Sequence, residues 1–273
     1  MTNDDSEQMD DHDDEDFYGH IPYRNPDEIG MHEITQALKG LHLLGGDMFL
    51  TMQITNLAIV DQFIMTQETE LLQTYRARDR TPMDLAMFVS AQSQMWIFAA
   101  YELMRTWRSR AKDTVKLARN GGLEMKAKAL EVGQGFMHMG REARARELRE
   151  VIATPSLIQV IEDDLKRAHI PFKRMEFIRV SLAKHEVSGK PKAIAYAPGY
   201  GRINMYCGAL DFQMTTGRVI LGDISRRDIA DEIRAIPQGP VPSVEQLAAF
   251  DEFMALSDDA VFPAPATDSE SDF

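Results

Sequence analysis

Between Asp47 and Arg119 the chain repeats apolar residues at helical spacing with a single interruption, and this run constrains the fold more than any other feature. Asp47 suits the N-cap of a helix reaching about Arg78, because its carboxylate can accept from the free N–H groups of a first turn. Within that stretch Phe49, Met52, Leu57, Val60, Ile64 and Leu71-Leu72 recur at roughly helical intervals, so one face is expected to be buried. Thr81-Pro82-Met83-Asp84 reads as a second start: Thr81 as cap, Pro82 in the first turn, and the Asp84 carboxylate near the positive helix end. The helix it opens runs to about Arg119. It contains Met95-Trp96-Ile97-Phe98-Ala99-Ala100-Tyr101, apolar on every side, and is therefore expected to be the central rod of a bundle. Rods of this length bury their faces mainly against other helices, so the expected class is mainly α.

The flanking segments extend this plan. A short helix is expected between Met31 and the Gly45-Gly46 pair, and Asn120-Gly121-Gly122 ends the central rod by permitting left-handed backbone. A helical region from Leu123 to Ile152 is interrupted by Gly133, Gly135 and Gly140, and Thr154-Pro155 repeats the cap-and-proline signal for a helix ending near Ala168. Phe172 to Lys184 fits a helical face, although the alternation around Val180 also fits a strand; we read it as helix. Ala193-Ile194-Ala195-Tyr196, Arg202 to Phe212 and Arg218 to Leu221 are strand candidates separated by glycine turns. Ser225 stands three residues before Asp228, and Ser243 three before Gln246, so each is expected to cap a helix, with Pro237 to Pro242 as a stiff spacer between them. The resulting organisation is a helical bundle over 31–186 and a small α+β extension, a β-meander plus helix, over 187–236. A linker with an amphipathic helix follows over 237–256, and disordered acidic tails occupy 1–28 and 257–273.

Charge is segregated in the same way. The chain carries −13 overall, but eleven acids against Arg24 place −10 in residues 1–28, and five acids with no base place −5 in residues 257–273. The remainder is nearly neutral, which leaves room for basic surface that the overall charge conceals. His12 and His20 lie among the N-terminal carboxylates, where nothing preorganises them, so no metal site is expected. Cys207 is the sole cysteine, which excludes a disulfide framework and a thiolate metal cluster and fits a reducing compartment. The N-terminus has neither a basic segment nor an apolar one, and no stretch is read as a membrane span. A soluble cytoplasmic protein without a cofactor is the expectation.

One pair of residues suggests chemistry. Arg179 and His185 stand in Arg-x5-His spacing behind three or four apolar helices, and in this the segment from about Asp47 to Glu186 resembles the HEPN superfamily of helical bundles. Its ribonuclease members carry an Arg-x4-6-His motif in a late helix. The resemblance implies His185 as general acid or base on an RNA 2′-hydroxyl or leaving oxygen, Arg179 as the phosphate-steadying cation, and a homodimer that pairs two such motifs. Val180 occupies the position after the arginine, where that family often has a polar residue.

Three further groups are candidates for binding. Arg105, Arg108, Lys112, Lys116 and Arg119 step by three and four residues along one helix face and suit RNA phosphates, with Trp107 beside them as a base-stacking candidate. Arg141, Arg144, Arg146 and Arg149 add positive charge; the same cations also suit a plain solvated face near a helix C-terminus. Leu247, Phe250 and Met254 form the apolar edge of the last helix, which either docks on the chain's own core or enters a groove on a protein partner. His138, between Met137 and Met139, reads as a packing residue, and Cys207 as an inert core thiol. Two functions follow: a non-catalytic interaction or regulatory protein using its helical surface, acidic arms and last helix, or a metal-independent ribonuclease using Arg179 and His185.

Overall fold

The computed structural model describes residues 23–132, 138–183, 201–216 and 219–256. Among these the chain is mainly helical, with α1 (His32–Gly40), α2 (Met48–Arg78), α3 (Met83–Arg119), α4 (Leu123–Glu131), α5 (Met139–Ala153), α6 (Leu157–Arg167) and α7 (His169–Ala183) in succession. An antiparallel three-stranded sheet, β1 (Arg202–Ile203), β2 (Leu210–Thr216) and β3 (Val219–Ser225), leads into α8 (Arg226–Ala235) and α9 (Val244–Met254). The acidic tails, the Ala193–Tyr196 strand candidate and His185 lie outside the described residues.

The long pair α2 and α3 forms the frame. Asp47 caps α2 as expected, its carboxylate accepting from the N–H of Phe49 at 2.9 Å and of Leu50 at 3.3 Å. Thr81 does not cap α3: Pro82 occupies the N-cap position and no side chain closes that end. Thr154 likewise closes α5 instead of opening α6. Along α3 the indole N–H of Trp96 donates to the Leu57 carbonyl of α2 at 3.0 Å, and that of Trp107 to the His42 carbonyl at 2.6 Å. Each buried indole thus satisfies its one donor while burying its rings. α3 also packs against α6, α7 and α8, which makes it the central helix of the bundle.

The sheet and α8 share the bundle's interior. Phe212, Met214 and Ile224 of the sheet, Ile229, Ala230 and Ile233 of α8, and Ile236 just after it belong to the same buried cluster as Ile54, Ile64, Trp96 and Met104. Ser225 opens α8 with a reciprocal capping box, its hydroxyl accepting from the Asp228 N–H while the Asp228 carboxylate accepts from the Ser225 N–H. The turn before β2 lies directly on α2. Gly208 has a φ of +79°, and a Cβ there would fall 2.0 Å from the Glu68 carbonyl oxygen, so only glycine permits this approach.

What anchors α8 is ionic. Arg226 is wholly buried, with Nε and Nη2 donating to the Glu68 carboxylate at 2.7–3.0 Å and Nη1 to Asp61. Arg234 donates to the other oxygen of Asp61, and the Arg226 guanidinium lies 5.5 Å from the Trp96 ring centre. Burial lowers the Arg226 pKa, but Glu68 and Asp61 outweigh it, so the net shift is upward and the guanidinium stays charged.

These pairs also qualify a sequence expectation. By length and hydropathy α2 meets the criterion for crossing a bilayer, the one described helix that does. Its Asp61 and Glu68 are nevertheless ion-paired inside the fold. Arg226→Met would leave Glu68 buried without its cation and Asp61 with Arg234 alone. The variant should lose about 3–5 kcal/mol of unfolding free energy in urea, whereas Arg105→Ala, which removes an exposed pair, should change it by under about 1 kcal/mol.

Candidate functional site

Three groups singled out from sequence meet on one side of the molecule, where α7 lies against α3 and α9 closes over the end of α7. Arg108 of α3 lies 4.4 Å above the Phe172 ring of α7, and its Nη2 is 3.2 Å from His169 Nδ1. The other ring nitrogen of His169 is 2.8 Å from the Asp251 carboxylate of α9, so an arginine, a histidine and an aspartate from three helices form one line. Phe250 packs edge-on to His169 at 6.5 Å, with the Arg174 guanidinium 5.9 Å from its ring. Leu247, Phe250 and Met254 are half-buried, and Met254 packs against the main core. The apolar edge of α9 therefore docks on this chain.

The basic stripe is divided. Arg105 pairs with Glu102 at 2.7 Å and Arg119 with Glu162 at 2.6 Å, while burial lowers the Arg108 pKa. Lys112 and Lys116 are exposed and, with Val115, Arg119, Asn120 and Leu165, line an open groove of about 480 Å³. Burial, then the neighbouring Arg108 and Lys173, lowers the Lys112 pKa, so cations crowd here. Trp107 is a core residue, 1% exposed, and offers no ring to a base. Three of the four arginines of α5 are held within the chain: Arg144 by Glu147 and Thr114, Arg149 by Glu124 and Glu131, and Arg141 by the Ala129 carbonyl; Arg146 is exposed.

Arg179 is near the end of α7, half-exposed, its guanidinium 5.1 Å from the Tyr101 ring and 3.6 Å from the Glu102 carboxylate. Glu102 thus lies between Arg105 and Arg179. His138 is exposed and caps α5, its ring nitrogen accepting from the Arg141 N–H at 3.3 Å, so the expected packing role is corrected. Cys207 is buried as expected, and burial pushes its thiol up to about 12. No cluster of metal-ligating side chains is found among the described residues.

A second surface escaped sequence reasoning. Phe49 and Met52, expected to be buried, are 53% and 59% exposed, and Met95 of the supposedly enclosed rod is 64% exposed. Asp61 is the only charged residue from 48 to 67 in α2, and its side chain points inward; residues 85–101 of α3 contain none. Consequently the solvent-facing stripes of both helices carry Met52, Ile59 and Phe63 on one side and Met87, Phe88 and Met95 on the other. Phe63 and Phe88 meet edge to face at 6.5 Å and join the two stripes. The available signal was a solvated helix face lacking any charge.

Comparison of the chain with models of known protein families, with curated proteins and with solved structures gives no match.

The elevated Cys207 thiol has two consequences. Ellman's reagent at pH 8 should label the native chain far more slowly than the chain in denaturant, since both burial and the missing thiolate block attack. Because the folded pKa exceeds the unfolded one, the thiol's contribution to stability is intact below pH 9. It should decline as the pH rises toward 12, where the unfolded chain ionises first; urea midpoints of wild type and Cys207→Ala should converge over that range.

Proposed function

We propose that this protein is a non-catalytic interaction protein that engages a protein partner through the uncharged face of α2 and α3. The observation that carries the reading is the set of exposed Met, Phe and Ile side chains on the uncharged stretches of both helices, joined at Phe63 and Phe88. Exposed apolar areas on folded chains are usually scattered, and a continuous one of this extent marks a contact site. Methionine and phenylalanine are also the side chains enriched at interface centres, whereas Lys, Glu and Asp are depleted there. The basic side fits this function less well, because Arg105 and Arg119 are already paired with carboxylates and α9 covers His169. A photo-crosslinker placed at position 59 in cells should give discrete protein adducts, and one placed at exposed Glu150 on α5 should give none. An absence of adducts at position 59 would remove the support for this reading.

The alternative is a HEPN-like ribonuclease. It is favoured by the half-exposed Arg179, which shares the Glu102 carboxylate with Arg105 of the basic stripe. Incubation of the purified chain and of His185→Ala with mixed RNA separates the two. Under the interaction reading neither cleaves, while cleavage lost in the variant would establish the enzyme.

A further inference from the structure

We infer that the occupant of the uncharged α2–α3 face is a second copy of this chain, so that two helical hairpins pack as a four-helix layer around Phe63 and Phe88. The inference rests on the interaction reading above and names the partner.

The first argument is symmetry. At a two-fold interface each patch meets its own duplicate, so any like charge near the axis is brought against itself. A face built for a different protein has no such restriction and gains specificity from charges. Here α2 presents only uncharged side chains outward from Met48 to Gln67, and α3 does the same from Leu85 to Ala99. The charges on the solvent side of α3 flank the apolar stripe, with Asp84 in the first turn and Glu102 and Arg105 beyond it.

The second argument is extent. Met52, Ile59, Phe63, Met87, Phe88 and Met95 are between 43% and 66% exposed. Side chains of this size expose roughly 200 Å² in full, so these six offer about 600 Å². With the small uncharged residues between them, the face approaches the ~800 Å² per partner of a standard interface. Geometry agrees: α2 and α3 are 31 and 37 residues long, and an edge-to-face aromatic pair joins their apolar stripes.

Sedimentation velocity on the full chain tests this, with peroxide oxidation of Met52, Met87 and Met95 as a local readout. The wild type should sediment as a dimer, with the three methionines protected. Phe63→Glu and Met95→Glu should weaken the dimer at least ~30-fold, the scale of a central hot spot. They should also speed methionine oxidation and leave far-UV circular dichroism unchanged, since both side chains are exposed in the single chain. Met125→Glu, on exposed α4, should remain dimeric. A dimer that survives both substitutions would use another surface and overturn the inference. A monomer with fast methionine oxidation would also overturn it while leaving a free face for a different protein. A monomer with slow oxidation would mean the face is covered from within, and would overturn the interaction reading as well.

Discussion

Two carboxylates on α2 and two guanidinium groups on α8 are enclosed in the middle of this molecule, and most of the architecture is arranged to satisfy them. Asp61 and Glu68 project from the inner side of a helix that is otherwise apolar, and burial without partners would be strongly unfavourable. Arg226 answers both and Arg234 adds a second donor to Asp61, although the two sides of each pair are more than 150 residues apart in sequence. Such a cluster is a weak source of net stability, because desolvation offsets much of the attraction. Its effect is positional. Apolar residues tolerate sliding by a turn, but a buried guanidinium held by two carboxylates has one acceptable seat, so α8 and the sheet leading into it are fixed on the bundle in one register. Gly208 serves the same end by letting the preceding turn touch the α2 backbone.

That arrangement explains the unusual surface of α2. A helix whose inward side already holds the necessary charges has no folding reason to be bare on its outward side, since solvated lysines and glutamates would be harmless there. The uncharged outer stripe continues on the first half of α3 and stops where α7 begins to cover that helix. α3 therefore has two characters along one solvent face: apolar beside α2, ionic beside α7. The boundary falls near Tyr101 and Glu102, where the Tyr101 ring stacks on Phe172 at 5.3 Å and Glu102 pairs with Arg105.

The ionic half is largely self-contained. Asp251 brings a carboxylate to His169 from α9, Glu102 and Glu162 meet arginines of α3, and Glu232 meets Arg174. Positive side chains that look available in a linear reading are in this way engaged by the chain's own acids. Exposed pairs of this kind contribute little each, but together they lower the positive potential that a polyanion would feel.

Local chemistry determined much of this structure in advance. The Asp47 cap, the Ser225 and Ser243 capping boxes and the left-handed Gly121 that ends α3 are each decided by a few neighbouring residues, and they stand where spacing placed them. Where the decision belonged to distant packing, spacing misled. Thr81 and Thr154 have the right type for caps but occupy the wrong geometry, and Trp107 lies within a basic stripe yet turns inward to the His42 carbonyl. Phe49, Met52 and Met95 read as core because hydrophobicity reports a preference for burial without naming the neighbour that provides it. Composition shows how much apolar surface a helix carries; only the positions of the other helices decide which part of it stays in water.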